Sequence, residues 1–421
     1  MKSGVLAYVV PVLIVNLGNA CAYAFQIVIA RTLTKADVGA FNALLSSVTL
    51  LAAPASIAPV AITRLALRQQ QAQPEAGIGP VVARTTLFAL AASILVGIGM
   101  FVAGPWLGAF LKIPSAETMA LFAALLAVTL IFPVPAGWFQ GLGRNIEMAL
   151  VQGGMPILRF FFGALFLAGF GMGLNGAVLA SALPCIVVFA LGLAVLWPGR
   201  AAFSTALAPG LARDTLRFVL PAACSASLIY ALFNLDMVLA RSLLPADESG
   251  LYAMAAVIGR IPFLLPAALA GIFFADLARA NPDDRATLNR LLIRFFGIVG
   301  GVAFGLAVVI ALAAEPLLSL MAGPSYLAAA PVLRISAFAM ALLSLLNLAV
   351  TLSQARDDHR ALWILLVGVC VFAASTFNFA TTAVDIVRYL SAAMSVMVVV
   401  CVVLLFQKPT SQQSRVGTAL R

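Results

Sequence analysis

The chain has 421 residues, of which 63% are hydrophobic and only 10% are charged, against about 45–50% and about 25% in ordinary globular domains. No water-soluble core needs this much apolar sequence, so the composition excludes a soluble enzyme and indicates a polytopic membrane protein. His359 is the only histidine, and the five cysteines lie in apolar runs without a CxxC pair. These counts disfavour a histidine triad, a metal site or a disulfide framework, so we expect no cofactor.

Apolar runs of about 20 residues, the length that crosses a bilayer as a helix, follow one another along the whole chain. The first run, after Lys2, lacks a cleavage pattern and is predicted to be a span rather than a signal peptide. We therefore predict an all-α membrane protein of twelve transmembrane helices, at about residues 5–30, 37–62, 81–104, 117–137, 146–169, 174–197, 216–240, 249–275, 291–314, 327–352, 361–383 and 385–406.

The basic residues fall mainly on one side of this predicted topology. If the N-terminus is cytoplasmic, 17 Lys and Arg lie inside, namely Lys2, Arg64, Arg68, Arg84, Arg144, Arg200, Arg213, Arg217, Arg279, Arg285, Arg290, Arg294, Arg356, Arg360, Lys408, Arg415 and Arg421. Only 5 lie outside: Arg31, Lys35, Lys112, Arg241 and Arg388. By the positive-inside rule both termini are cytoplasmic, and the net charge of +10 reflects topology rather than binding to nucleic acid.

The sequence contains two copies of one half. Most matched residues lie 210 positions apart, and one insertion then makes the separation 211: Pro11 with Pro221, Gln26 with Asp236, Arg31 with Arg241, Gly39 with Gly250, and Phe41 with Tyr252. Each half has an even number of spans, so the repeat is parallel, with a pseudo-twofold axis along the membrane normal. We predict an N-terminal six-helix lobe (1–197), a cytoplasmic linker (198–213), a C-terminal six-helix lobe (214–406) and a disordered cytoplasmic tail (407–421).

Polar residues form a stripe on the first span. Asn16, Asn19, Tyr23 and Gln26 recur at steps of 3, 4 and 3 residues, which places them within an arc of about 80° on one helical face. Spans two and ten carry similar stripes: Asn42, Ser46, Thr49, Ser56 and Thr63, and Ser344, Asn347, Thr351 and Gln354. Such faces line a wet cavity or form hydrogen bonds between helices in a sealed bundle; stripes on both of the first two spans favour the cavity.

Charged residues also stand deep inside the predicted spans. Arg159 and Arg260 lie near the middle of spans five and eight, and Arg334 lies about two turns into span ten. Asp236 is the only acid well inside a span. A buried charge costs about 2.5–3.5 kcal/mol at the bilayer centre, so each is expected to bind a ligand or a partner. Three arginines against one acid favour an anionic ligand, although Asp236 could neutralise one arginine while the others reach the interface.

The two hairpins also resemble those of a known family. The segments from Ala30 to Phe41 and from Asp236 to Tyr252, together with Gly323–Tyr326, resemble the oligosaccharide and polysaccharide flippases of the multidrug/oligosaccharidyl-lipid/polysaccharide exporter superfamily. The resemblance implies twelve helices in two six-helix lobes around a V-shaped central cavity, alternating access and a lipid-linked diphosphate glycan as substrate. In the related lipid II flippases an arginine on the eighth helix is important, and Arg260 is its candidate here. Their first-helix arginine has no counterpart in this chain.

These observations predict a flippase rather than an enzyme, in the bacterial cytoplasmic membrane, moving a polyprenyl-diphosphate-linked oligosaccharide for cell-surface polysaccharide synthesis. Arg260 and Arg159 would hold the head group and Asp236 would act as a coupling switch. The other predicted substrate-binding residues are Arg64 at the cytoplasmic mouth, Arg334, Asn16, Asn19, Tyr23 and Gln26. Expected partners are the glycolipid, membrane lipids, a glycan polymerase and glycosyltransferases. The alternatives are a multidrug/cation antiporter, a membrane glycan polymerase or ligase, and an export scaffold.

Overall fold

The structure is a computed structural model that describes residues 2–197, 207, 210–264, 266, 285–354, 358 and 360–406. Within these residues the regular elements are all helical. The α-helices are α1 (Lys2–Thr32), α2 (Lys35–Leu51), α3 (Ala58–Ala72), α4 (Gly79–Phe110), α5 (Ala116–Ile131), α6 (Val134–Gly141), α7 (Asn145–Gly163), α8 (Gly173–Val195), α9 (Leu211–Leu243), α10 (Ala246–Gly259), α11 (Arg285–Leu312), α12 (Ala314–Met321), α13 (Ala330–Gln354), α14 (Arg360–Phe379) and α15 (Ala383–Phe406). Short 3-10 segments lie at Ala53–Ile57, Pro74–Ala76 and Pro324–Ala329, and a π-helix at Ala164–Gly169.

The predicted multi-pass, all-α class is confirmed. Within the described residues, ten helical segments are long and apolar enough to cross a membrane, and the bent pair α2–α3 makes eleven. Large apolar side chains on their outer faces, such as Phe88, Trp106, Leu312 and Trp363, are largely exposed. A surface of this kind requires lipid rather than water. The remaining predicted span, the eighth, at 249–275, lies partly outside the described residues, so the twelve-helix, two-lobe arrangement stays a prediction.

The second predicted span, at 37–62, is not one straight helix. α2 ends at Leu51, and the axis bends by 59° before α3 begins at Ala58. Pro54 and Pro59 account for the break, because a proline has no N–H for the helical ladder and its ring clashes with the preceding turn. The prediction placed a continuous helix here, and this part of it is corrected.

The predicted eighth span also has a break, at Arg260. α10 ends at Gly259, Arg260 adopts a turn, and residues 261–264 are helical again. Pro262 explains the interruption, since it cannot donate a hydrogen bond to the carbonyl four residues earlier. The break places the Arg260 charge at the carbonyl end of α10, where the helix dipole favours a cation.

Glycines allow the first and fifth predicted spans to pack closely. α1 lies along α7, and a Cβ on Gly18 would lie only 2.7 Å from the Cα atom of Gly153. Small residues at helix contacts are a common way to pack helices in membranes, where close van der Waals contact replaces the hydrophobic effect. In the C-terminal half, α13 takes the central place and contacts α10, α11 and α15.

The two sequence halves meet mainly through α2. This helix contacts both α9 and α10, and α3 contacts α9, whereas α1 meets the C-terminal half chiefly at α12. We name the two ends of the helical bundle after the chain segments that lie at each end. The hairpin face is the end where α1 turns into α2 and α9 into α10, near Leu33 and Leu244; the linker face is the opposite end, near Val195 and Leu211.

Several predicted regions lie outside the described residues. They are most of the linker at 198–213 and the tail at 407–421. Of the linker, the structure describes residue 207 and residues 210–213, and α9 begins at Leu211 rather than after the linker.

Candidate functional site

The C-terminal half holds a buried acid–base pair between α9 and α10. The Asp236 side chain is buried, and its Oδ1 lies 3.5 Å from Nη2 of Arg260. The same nitrogen donates a 2.6 Å hydrogen bond to the carbonyl oxygen of Phe233, whose ring centroid lies 4.4 Å from the guanidinium carbon. The hydroxyl of Tyr252 donates a 2.9 Å hydrogen bond to Asp236 Oδ2. Two neighbouring helices therefore hold one positive and one negative charge in contact.

Arg260 remains open to further contacts. About 13% of its side chain is exposed, and its Nε has no hydrogen-bond acceptor among the described residues. Tyr23, on α1, lies close enough to Arg260 for the two groups to interact electrostatically. Arg260 therefore lies within electrostatic range of the N-terminal half and has a buried donor that no described acceptor satisfies.

The N-terminal half also has a deep arginine, but in a different environment. The guanidinium carbon of Arg159, on α7, lies 4.8 Å from the ring centroid of Phe25 on α1 and 5.7 Å from that of Phe41 on α2. In the described part of the chain, neither Nε nor Nη2 of Arg159 has a hydrogen-bond acceptor, although both atoms are buried. Two aromatic faces partly offset the burial of this charge through cation–π attraction. Two of its three guanidinium nitrogen atoms are therefore unsatisfied within the described part of the chain.

The internal repeat relates these two environments. Gln26 occupies the position of Asp236, and its Nε2 donates a 3.3 Å hydrogen bond to Asn42 Oδ1, 16 residues later. Asp236 accepts its hydrogen bond from Tyr252, also 16 residues later. A side-chain hydrogen bond thus joins the first two helices of each half, although only its first residue, Gln26 or Asp236, is matched by the repeat.

The polar stripe on α1 serves two purposes. Asn16 and Asn19 are exposed, as expected for residues that line an open space. Gln26 instead bonds to a neighbouring helix, and so does Ser344, whose hydroxyl donates to the carbonyl oxygen of Pro262. Gln26 and Ser344 therefore serve hydrogen bonding between helices, whereas Asn16 and Asn19 form the exposed part of the polar stripe on α1.

The remaining two predicted arginines lie away from the deep pair. Arg334 forms a 2.8 Å ion pair with Glu315 near the hairpin face, with 47% and 61% of the two side chains exposed. Arg64 is half-buried on α3, towards the linker face, and interacts electrostatically with Arg68 and Asp214. The deep charges of the described residues are therefore Arg159, Arg260 and Asp236, with a net charge of +1 rather than the +2 expected from the sequence.

One buried arginine was missed by the sequence analysis. Arg241 was counted as a residue of an external loop, but it is only 6% exposed and its guanidinium is bonded on both sides to the other half. Its repeat partner, Arg31, is the only signal in the sequence that could have singled it out. Among the described residues, no group of three or more His, Cys, Asp or Glu is arranged to hold a metal ion.

Comparison with solved structures identifies the fold. An inward-facing multidrug resistance MATE family transporter of the MOP superfamily matches with a TM-score of 0.77, 16% identity, and coverage of 94% of this chain and 98% of that one. An outward-facing MATE transporter matches with a TM-score of 0.66, 16% identity, and coverage of 94% and 92%. A MOP superfamily transporter from Pyrococcus furiosus, described as having a binding pocket of reversed polarity, matches with a TM-score of 0.65, 17% identity, and 96% coverage of each chain.

Sequence comparison identifies the family. No curated protein sequence matches the chain. The family model described as "Polysaccharide biosynthesis protein" matches residues 7–273, which is more than half of the chain. The match agrees with the resemblance seen in the two hairpins, and the fold is that of the MOP-superfamily transporters. The chain is therefore a multi-pass membrane protein that belongs to the polysaccharide biosynthesis protein family.

Proposed function

We propose that the protein flips a polyprenyl-diphosphate-linked oligosaccharide, or a similar glycolipid, across the bacterial cytoplasmic membrane by alternating access. The observation that carries the proposal is the buried guanidinium of Arg159, which has two nitrogen atoms without an acceptor in the described chain. An uncompensated charge in the membrane is costly, so it is expected to serve a ligand of opposite sign. Phosphate oxygens suit the planar fork of an arginine.

Arg260 supplies the second contact in this proposal. Its Nε is available, and the substrate would compete with Asp236 and the Phe233 carbonyl for the rest of the guanidinium. When the substrate draws Arg260 away, Asp236 keeps its bond to Tyr252 but loses its counter-ion. This loss makes Asp236 the group whose protonation or ion binding could couple substrate binding to movement of the two halves.

An asymmetry between the halves favours a lipid-linked substrate. α2 of the first half contacts α9 of the second half closely. The repeat makes α10 equivalent to α2 and α1 equivalent to α9, but the contact between α10 and α1 is weak or lacking among the described residues. A side opening between α1 and α10 would let a polyprenyl chain stay in the bilayer while the diphosphate sugar enters between the halves. From the distribution of Lys and Arg we propose that the linker face is cytoplasmic.

A reconstituted flipping assay tests this function. Proteoliposomes would carry a fluorescent polyprenyl-diphosphate oligosaccharide, and the rate of its movement between leaflets would be measured. We expect Arg159→Gln to reduce the rate by at least about tenfold and Arg159→Lys to recover little, because a lysine lacks the bidentate geometry. Arg334→Gln is the matched control, since Arg334 has its own exposed partner, Glu315. A wild-type protein that moves no such lipid, or an Arg159→Gln variant with full flux, would refute the proposal.

A multidrug exporter is the second candidate, because two of the solved relatives named above are MATE transporters. Such an exporter would bind a cation at a free carboxylate. Asp236 is the one buried acid of the described spans, and both of its oxygen atoms already face a partner, Arg260 or Tyr252. The same proteoliposomes loaded with a cationic dye separate the two functions: efflux of the dye without movement of the lipid would establish the exporter.

A further inference from the structure

Arg241 joins the two halves at the hairpin face. It lies near the end of α9 with only 6% of its surface exposed. Its Nε donates to the carbonyl oxygen of Leu111 at 2.9 Å, and Nη2 to that of Lys112 at 3.2 Å. Nη1 lies within hydrogen-bond distance of Ala36 O, Ser249 Oγ and Ala246 O, at 3.2, 3.1 and 3.5 Å. One side chain therefore holds the α4–α5 connection and the start of α2 against the C-terminal half.

Its repeat partner makes the reciprocal contact. Arg31, at the end of α1, donates a 2.7 Å hydrogen bond from Nη2 to the carbonyl oxygen of Leu320 in α12. α12 lies in the connection between α11 and α13, which corresponds to the α4–α5 connection of the first half. Each half thus extends an arginine from its first long helix to a main-chain carbonyl in the same connection of the other half.

Two lysines add to these contacts. Lys112 Nζ donates a 3.1 Å hydrogen bond to the carbonyl oxygen of Leu244, and Lys35 Nζ lies 5.7 Å from the ring centroid of Tyr326. Both lysines belong to the N-terminal half and both acceptors to the C-terminal half. Four of the five basic residues predicted on the outer side therefore contact the opposite half, which gives them a role beyond topology.

Two matched glycines allow the halves to touch between the arginines. A Cβ on Gly250 would collide with the carbonyl oxygen of Lys35, and a Cβ on Gly39 would collide with the Ser249 hydroxyl and lie 2.8 Å from the amide nitrogen of Gly250. The two glycines are equivalent in the sequence repeat, so each half contributes the same repeat position to this contact. Closure at this face depends on the absence of side chains at both positions.

We propose that Arg241 and Arg31 are positioning residues that keep the hairpin face closed, so that the site at Arg159 and Arg260 opens only to the linker face. This inference rests on the proposed transport function, in which the two halves must separate at each face in turn. Arg241 is expected to dominate, because it is buried and has three acceptors in the other half, whereas Arg31 is exposed and has one.

Distance measurements on the full-length protein test the inference. In a cysteine-free background, Ala116→Cys in the first half and Phe379→Cys in the second place spin labels on opposite sides of the hairpin face, and double electron–electron resonance reports their separation. We expect Arg241→Ala to raise the population with the longer distance about tenfold, which corresponds to about 1.4 kcal/mol. Arg31→Ala should give a smaller rise in the same direction. A folded Arg241→Ala variant with the wild-type distance distribution would overturn the inference.

Controls separate the specific contacts from loss of charge or of folding. Arg388→Ala removes an exposed basic residue on the same side, and an equal shift in that variant would also overturn the inference. If Arg241→Ala does not fold, Gly250→Ala replaces it, because the added Cβ would push the two halves apart at Lys35. Gly99→Ala is the control for this variant, since a Cβ on Gly99 meets nothing within 4 Å. An unchanged distance in Gly250→Ala would contradict the proposed closure. Shifted distances in a protein that moves no glycolipid would support the closure and refute only the proposed function.

Discussion

The two halves of this molecule place an arginine at depth in opposite ways. In the C-terminal half Arg260 has a carboxylate, a carbonyl and an aromatic ring as neighbours, and in the N-terminal half Arg159 has two rings and no acid among the described residues. In each half a side-chain hydrogen bond joins the first two helices, between two amides in the N-terminal half and to a carboxylate in the C-terminal half. The two halves thus contain one cation with a carboxylate neighbour and one without an acid partner among the described residues.

The largest effect is expected at the Asp236–Arg260 pair. Asp236→Asn leaves Arg260 buried without its counter-ion, and breaking a buried pair costs about 3–5 kcal/mol. We expect a clear fall in folded yield and in thermal midpoint, measured by fluorescence-detected gel filtration after heating. Combining Asp236→Asn with Arg260→Gln should recover most of the stability but not the flux. If the double variant is no more stable than Asp236→Asn, the two charges do not act as a pair.

The next largest effect on stability is expected where helices pack closely, at one glycine in each half. Gly153→Ala should destabilise the protein by about 1–3 kcal/mol, because its Cβ would lie 2.5 Å from the carbonyl oxygen of Ile14, a backbone atom that cannot move alone. Gly368→Ala should cost less, since its Cβ meets the flexible side chain of Met397. Gly154→Ala, with nothing within 4 Å, is the control in the same helix. Equal thermal midpoints for Gly153→Ala and Gly368→Ala would show that the α1–α7 contact is not the tighter one.

A smaller effect on stability, of opposite sign, is expected at Arg159. Arg159→Met removes a buried charge that has no acid partner in the described chain, so the thermal midpoint should stay the same or rise by the equivalent of about 1 kcal/mol. This outcome contrasts with Asp236→Asn and would separate a ligand-binding cation from a structural one. A fall as large as that of Asp236→Asn would mean that Arg159 supports the fold.

The smallest effect is expected at Arg334. Its ion pair with Glu315 is largely exposed, and such pairs contribute about 0–1 kcal/mol because water and salt screen them. Arg334→Gln should therefore leave both the thermal midpoint and the flux within error of the wild type. A loss of flux with normal stability would return Arg334 to the substrate path.

The sequence was informative about spans and less so about their shape. Runs of about 20 apolar residues predicted helices with boundaries mostly within a few residues of those observed, because the bilayer thickness sets their length. The breaks at Ala53–Ile57 and at Arg260 were not predicted as breaks, although Pro54 and Pro262 were visible. A proline within a span does not reveal whether neighbouring helices restore the lost hydrogen bond.

The deep pair could be predicted, but the closure of the hairpin face could not. Asp236 was the one acid that could reach Arg260, because it stood at depth on the preceding span, and the two side chains are in contact. Arg241 gave no such signal, since its acceptors are mostly main-chain carbonyls such as Leu111 O, and every residue has one. Which carbonyl an arginine meets depends on tertiary structure that no local pattern encodes.

The use of main-chain acceptors at the hairpin face has a consequence for mutational tolerance. Replacing the side chain of Leu111, Ala36 or Leu320 leaves the carbonyl oxygen that accepts the hydrogen bond in place. Among the described contacts between the halves, the side-chain requirement therefore falls on the two arginines, the two glycines, and the two lysines with Tyr326. The surrounding loops can drift in sequence while the contact persists, so in this region the loss of function under random substitution should concentrate at very few codons.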